Sequence, residues 1–277
     1  MTFAGVVTLY NPEDIVADNI KRYVEHLDVV FIVENSETIN QYVLSEIKQY
    51  SNIKILNNRG NKGVAYALNR AAKRATALKM DWLLMMDQDS TISCEMLEEM
   101  KEFICGNKDE RVGIVAANYR ERYIIGKKTA QIITYENQVI TSGSLININV
   151  YKNCGDFLNQ LFIDEVDFEY CLRLRKFGYR IIKLNYVLFE HNLGYPKKLK
   201  NLVMYNYPPF RYYYIVRNSL YVSKLYKNVF PELCVAKERI IGDWILRVLK
   251  EEKTLLKIIY MLKGYLDFKI GRMGKLK

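Results

Sequence analysis

Asp87-Gln88-Asp89 sets two carboxylates one residue apart, directly after the apolar run Trp82-Leu83-Leu84-Met85-Met86. Such a pair can share a hard cation, Mg2+ or Mn2+, whose other positions are filled by water or phosphate oxygens. A cation there would neutralise a diphosphate leaving group. A bare Asp-x-Asp is equally what a solvated turn after a strand looks like, so its meaning depends on its surroundings. A second cluster, Asp164, Glu165, Asp167 and Glu169, packs four acids into six residues. Crowded like charges raise a carboxylate pKa and make it a better base. The bland alternative is a solvated helix start favoured by the dipole. Arg211 and Arg217 follow Pro208-Pro209 and offer guanidinium groups suited to a diphosphate. They also fit an aromatic-rich packing helix with arginines reaching for water. Of the two histidines, His26 reads as a cation late in the first helix, and His191 follows the strand-like run Val187-Leu188-Phe189.

The elements that must position these groups alternate. Phe3 to Leu9, Val29 to Val33, Ile53 to Leu56, Trp82 to Met86 and Val112 to Ala116 are short apolar runs, as buried parallel strands are. Helical segments separate them. Asn11 is a plausible cap with Pro12 at the first helical position, and Asn61 could cap a helix from Gly63 to Leu78. The alternation predicts an α/β fold with a mostly parallel, Rossmann-like sheet and flanking helices. Ligands of such sheets bind at the carboxyl ends of the strands. That rule puts Leu9-Tyr10, Glu34-Asn35, Asn57-Asn58 and Asp87-Gln88-Asp89 on one rim. Tyr10 offers a flat face to a nucleobase. Glu34 or Asn35 could hydrogen-bond a base edge or ribose. Asn58-Arg59-Gly60-Asn61-Lys62-Gly63 leads into a helix N-terminus, an anion site through its amides, dipole and cations. Residues 124–148 favour antiparallel strands, 166–177 a helix stopped by Gly178, 179–184 a strand, and the part after Pro209 helices.

The chain has 277 residues, 41 basic and 31 acidic, for a net charge of +10. The charge suits an anionic partner. Five scattered cysteines without a Cys-x-x-Cys pair point to a reducing compartment. No signal peptide and no apolar run able to span a bilayer are evident. The expectation is a cytoplasmic protein able to attach peripherally to a membrane.

The set Val7-Thr8-Leu9-Tyr10-Asn11-Pro12, Val33-Glu34-Asn35-Ser36, Asn58 to Asn69 and Asp87-Gln88-Asp89 resembles the nucleotide-sugar half of family 2 glycosyltransferases. Ser142-Gly143-Ser144, the acids from Asp164 to Glu169 with Arg173 and Gly178, and His191-Asn192-Leu193-Gly194 extend the resemblance toward the rhamnosyltransferase branch. It covers about residues 3–220 and implies a GT-A catalytic domain over 1–220. Its nucleotide-sugar half would be about 1–120 and its acceptor half about 121–220, followed by basic amphipathic helices over 221–277. It implies a nucleotide-diphosphate sugar donor, dTDP-L-rhamnose above the UDP-hexoses, a divalent cation, and a surface polysaccharide or lipid-linked glycan as acceptor. Thr8, Tyr10, Glu34, Asn35, Asn58, Lys62, Gly63, Asp87, Gln88, Arg211 and Arg217 would face the donor. Asp89, Asp87 and His191 would serve the metal, and Ser142, Gly143 and Glu165 the acceptor side. The family's pattern of an Asp six residues before an Arg selects Asp167, ahead of Arg173, as the base of an inverting transfer. Asp164 is the second choice, because Val166 stands where many relatives carry Glu.

Residues 237–277 carry a net charge of +6 with apolar residues at helical spacing: Ile241, Ile245, Val248 and Leu249, then Leu255, Ile258, Ile259 and Leu262. A basic amphipathic helix can lie on an anionic leaflet; a packed annex or a dimer interface is the alternative. Two other functions fit less well. A nucleotidyltransferase would carry a glycine-rich loop where Tyr10-Asn11-Pro12 stands. A nucleic-acid binder would not crowd acids where a polyanion must dock.

Overall fold

The computed structural model describes residues 1–121, 132–191, 196–199, 202–205 and 207–276. The apolar runs become parallel strands because both their faces are covered. β1 (Phe3–Leu9), β2 (Val29–Glu34), β3 (Ile53–Asn57) and β4 (Trp82–Asp87) lie in the order β3-β2-β1-β4, all parallel. The sheet continues with β7 (Ser144–Asn147), antiparallel to both β4 and β5 (Val112–Glu121). β8 (Arg180–His191) runs parallel to β5, and β6 (Ile133–Tyr135) closes the edge antiparallel to β8. Phe3, Val7, Leu9, Val30, Ile32, Leu84 and Met86 bury one face. They pack with α1 (Ile15–Lys21), α2 (Gln41–Ile47) and α4 (Cys94–Gly106) through Val16, Ile20, Val43, Ile47, Leu97 and Met100. The alternate residues Ala4, Val6, Phe31, Val33, Leu83 and Met85 are buried too. α3 (Val64–Ala77) lies on β1, β2 and β4 with Ala65, Ala67, Ala71, Ala72 and Ala75 buried. Truncating Leu84, wholly inside this core, to alanine would cost about 2–5 kcal/mol.

Two details around the first helix differ from expectation. α1 begins at Ile15 after Asp14, not at Pro12, because Asn11 takes φ 45° and donates its N–H to the Ser36 hydroxyl at 2.8 Å. His26 is not a C-terminal cation of α1. It stands in a separate 3-10 turn, its Nδ1 3.1 Å from Glu98 Oε1 on α4.

The chain divides into two compact units: residues 1–157 with 170–192, and residues 158–169 with 193–277. The first carries the sheet, with α5 (Ile148–Cys154) following β7. The second carries a hairpin of β9 (Pro196–Leu199) and β10 (Leu202–Tyr205), then α7 (Pro209–Tyr226), α8 (Pro231–Val248) and α9 (Thr254–Lys269). α6 (Val166–Lys176) gives its first turn to the second unit. α7 and α9 cross closely: a Cβ on Gly264 would meet the Tyr213 carbonyl oxygen at 2.4 Å. Tyr212, Ile215, Val216, Val248 and Met261 form their core. Within it the buried Glu251 carboxylate accepts from Lys257 Nζ at 2.6 Å, Arg247 Nε at 3.0 Å and the Tyr212 hydroxyl. The expected boundary at residue 220 is therefore replaced. Helix α7 belongs with α8 and α9, and it takes the 158–169 loop with it for a reason given below.

Candidate active site

In the first unit, strand register sets the candidate donor edge. Thr8 on β1 is paired with Asp87 on β4, and Leu9 with Glu34 on β2, which is paired in turn with Asn57 on β3. The ladder continues past the strand ends, with Asn35 N–H donating to Leu9 O and Asn58 N–H to Glu34 O, both at 2.8 Å. The Gln88 amide joins the next residues: Tyr10 N–H donates to its Oε1 at 2.8 Å, and its Nε2 donates to Tyr10 O at 3.1 Å. Tyr10 itself is 44 % exposed. Asp87 is half-buried and Asp89 exposed. The Asp87 amide donates to the buried Ser142 hydroxyl at 3.1 Å, and Gly143 N–H donates to Met85 O at 3.0 Å. Gly143 has φ 74°, and a Cβ there would fall 2.5 Å from the Phe189 ring. Glycine is the residue that satisfies both conditions.

Asparagines organise the β3–α3 loop. Asn35 Oδ1 accepts from Asn58 Nδ2 and from Lys62 N–H, both at 3.0 Å, and its Nδ2 donates to Asn61 Oδ1 at 3.2 Å. Asn61 Oδ1 also takes the Gly63 amide at 3.0 Å. Asn61 thus braces the loop and does not cap α3, whose cap residue Gly63 supplies no side chain. The first amides of α3 are left to an incoming anion or water. Arg70, one helix face further on, donates to Asn57 O and Asn58 Oδ1. Glu34 is buried; its Oε1 accepts from Ser36 N–H at 2.8 Å, while Oε2 has no hydrogen-bond partner among the described residues.

The acids of the second unit stand on a different kind of support. Phe162, Asp164 and Glu165 all have positive φ, 67°, 60° and 65°, an arrangement that costs energy for residues other than glycine. The loop is held from α7. Asn218 Nδ2 donates to the carbonyls of Leu161, Ile163 and Asp164 at 2.7–3.1 Å. Arg217 is fully buried and donates to five oxygens: Asn218 Oδ1, the Tyr213 hydroxyl, and the carbonyls of Gly274, Gln160 and Leu161. Its guanidinium lies 4.9 and 5.0 Å from the Tyr213 and Tyr214 ring centres. Arg211 donates twice to Asp164 Oδ1, from Nε at 3.1 Å and Nη2 at 3.0 Å. Burial pushes the Asp164 carboxyl above the usual range, against the pull of Arg211. Glu165 accepts from the Ser219 hydroxyl at 2.9 Å, and the buried Glu169 from the Tyr226 hydroxyl at 2.6 Å. Asp167 is half-buried in the first turn of α6.

A family model, "Glycosyl transferase family 2", matches residues 6–157, more than half of the chain. The chain belongs to this family. A curated relative, "dTDP-rhamnosyl transferase RfbF" of Shigella flexneri, is 26 % identical over 261 residues, covering 84 % of this chain and 83 % of the relative. Among solved structures, S. aureus TarS superposes with a TM-score of 0.56 at 17 % identity, over 92 % of this chain and 44 % of TarS. GalNAc-T7 with UDP, GalNAc and Mn2+ gives 0.62 at 12 % identity, over 84 % of this chain and 49 % of that one. The fold is the GT-A fold, and the chain is a glycosyltransferase.

For this transferase, the sheet brings Thr8, Tyr10, Glu34, Asn35, Asn58, Lys62, Gly63, Asp87, Gln88 and Asp89 to one edge. Several expected roles change. Arg217 cannot face a diphosphate, since it is wholly buried and its hydrogen bonds go to protein oxygens. Two of the Arg211 nitrogens are committed to Asp164. Ser142 and Gly143 do not present themselves to an acceptor: both are buried, and they hold the main chain at Asp87 and Met85. Gln88 braces the Tyr10 main chain and Asn35 the Lys62 amide, while the Asn58 amide bonds the Asn35 and Arg70 side chains. His191 closes β8, but its side chain lies outside the described residues, as do Asn192, Leu193 and Gly194. Sequence reasoning gave Asn218 no holding role, read Asn61 only as a helix cap, and passed over Arg70. The adjacent Arg217-Asn218 polar pair in a helix of tyrosines was the available signal for the first.

The donor chemistry for a divalent cation fits. Asp87, half-buried, and Asp89, exposed, are hard oxygen donors at a strand end. No cluster of three or more metal-ligating side chains occurs among the described residues. A cation held by the two aspartates would take its remaining ligands from phosphate and water.

Proposed function

We propose that this family 2 transferase moves L-rhamnose from dTDP-L-rhamnose to a hydroxyl of a surface polysaccharide or lipid-linked glycan, inverting the anomeric centre. The observation that carries the donor side is the β1–β4 register: Asp87 beside Thr8, its amide on Ser142, with the exposed Tyr10 ring and the Glu34 oxygen on the same edge. Tyr10 stacks on the base, and Glu34 Oε2 accepts a base N–H. The α3 amides and Lys62 meet phosphate oxygens. Asp89 and Asp87 would hold Mg2+ or Mn2+, which would supply positive charge at the diphosphate. Asp167 takes the proton of the acceptor hydroxyl as its oxygen bonds to the anomeric carbon. The bond from that carbon to the diphosphate oxygen breaks, and dTDP leaves with the electron pair. Asp167 is chosen over Asp164 because it stands six residues before Arg173, the spacing of the family's pattern. The choice of rhamnose rests on the 26 % identical relative.

The test is a donor screen: nucleotide release and glycan transfer from dTDP-rhamnose, UDP-glucose, UDP-galactose and UDP-N-acetylhexosamines, with EDTA or Mn2+. Turnover is expected with dTDP-rhamnose, to stop with EDTA and to return with Mn2+. Faster turnover of any UDP-sugar would sink the donor assignment; a product of retained configuration would sink the role of Asp167.

A further inference from the structure

Helix α9 has one buried side and one exposed apolar side. Its inner side, with Lys257, Met261, Gly264 and Asp267, is buried, and α7 packs with it. On the opposite side run Leu255, Ile259, Leu262, Leu266 and Ile270, at spacings of four, three, four and four. Those spacings align them in one stripe along the helix and just past its end. Every member is exposed, from 50 % for Ile259 to 74 % for Leu255. The end of α8 adds Leu246 and Leu249, 63 % and 59 % exposed. A continuous apolar row of this kind marks an interaction surface.

The charges identify its occupant. The one acid within α9, Asp267, is buried and accepts from the Tyr213 hydroxyl at 2.7 Å. Lys263 and Lys269 flank the stripe on its two sides, and Lys250, Lys253, Arg272 and Lys275 lie toward its ends. Glu252 is the exposed acid in that stretch, since the Glu251 carboxylate is buried. A second copy of α9 laid on the stripe would set lysine against lysine with no exposed α9 carboxylate between them. An anionic lipid surface serves both parts: acyl chains for the leucines and headgroups for the lysines. Tyr265, half in water with Lys269 Nζ 5.3 Å from its ring centre, is a residue of the headgroup level. Among the described residues no helix is long and apolar enough to cross a membrane.

We infer that α9 docks in the plane of an anionic bilayer, its Leu255-to-Ile270 stripe against the acyl chains and Lys263 and Lys269 against the headgroups. The test is flotation of the 277-residue chain with vesicles of phosphatidylcholine alone or mixed with phosphatidylglycerol. Light scattering in parallel gives the oligomeric state. Binding to the mixed vesicles is expected, weakening with salt. The double variant Leu262→Asp/Leu266→Asp should bind at least about tenfold more weakly. Lys263→Glu/Lys269→Glu should lose about fivefold per lysine charge removed. Both variants change surface positions, so circular dichroism and melting temperature should match the parent. No flotation at low salt, equal binding to neutral vesicles, or undiminished binding of the leucine variant would overturn the proposal. So would a dimer in solution that the leucine variant splits while neither protein floats. The readout involves no sugar donor, so its failure leaves the donor assignment standing.

Discussion

The sheet edge and the acid loop hold their carboxylates by opposite means. Asp87 is set by strand register and by main-chain hydrogen bonds that extend the ladder, with Gln88 and Ser142 as local props. Asp164 and its neighbours sit on backbone of positive φ, held by two buried side chains about fifty residues later. In the first region the fold itself makes the geometry, so the neighbours have only to avoid spoiling it. In the second, geometry exists because Arg217 and Asn218 impose it. Reacting groups can therefore be lost in two ways, by removing the group or by removing its holder, and the second route should be open mainly in the acid loop.

Removing a reacting group should have the largest effect. Asp167→Asn is expected to lower kcat by about 10²–10⁴-fold, with donor affinity by calorimetry unchanged; a loss under tenfold would move the base to Asp164. Next comes the holder. Arg217→Ala strips a donor from five buried oxygens and leaves a cavity, so urea melts should show a loss of about 3–5 kcal/mol. Arg217→Lys should recover little of it, because an ammonium cannot reproduce the planar fork. If the alanine variant melts like the parent, the contrast between the two regions fails. Gly143→Ala should cost about 1–3 kcal/mol through its positive φ and the Phe189 ring, measured in the same melts. Ser142→Ala removes a single hydrogen bond from the Asp87 amide and should cost about 1 kcal/mol, with KM for the donor rising more than kcat falls.

The smallest effect contrasts two carboxylates by pH. The Ser93 hydroxyl and its own main-chain amide hold Glu95, at the start of α4, down to about 2. Its folded value lies below its unfolded one, so its contribution is present above the ordinary glutamate range and is lost as pH falls toward 2. Asp164 is shifted the other way by burial. What it contributes is present at low pH and is lost as pH rises through its folded value. Melting curves of Glu95→Gln and Asp164→Asn against pH should deviate from the parent with opposite slopes.

Legibility in the sequence follows the same division. The strands, their parallel order and the common edge could be read because buried strands write their burial in consecutive apolar residues, and register then does the rest. Asp87, Thr8 and Glu34 inherit their neighbourhood from that pattern. Side-chain commitments could not be read. Arg217 carries the same letter whether it grips phosphate or five protein oxygens, and only the carbonyls of Gln160, Leu161 and Gly274 decide it. The Ser142-Gly143 pair was visible as a motif, but its purpose depends on Phe189, which is distant in sequence. The split of the chain was missed for the same reason: residues 158–169 follow the helices that clamp them, not their neighbours in sequence.

The clamp also reaches the carboxyl-terminal residues. Gly274 O accepts from Arg217, Gly274 N–H donates to Gln160 O, and Leu276 N–H donates to the Tyr214 hydroxyl. Removing residues 274–276 is thus equivalent to editing the loop ahead of α6.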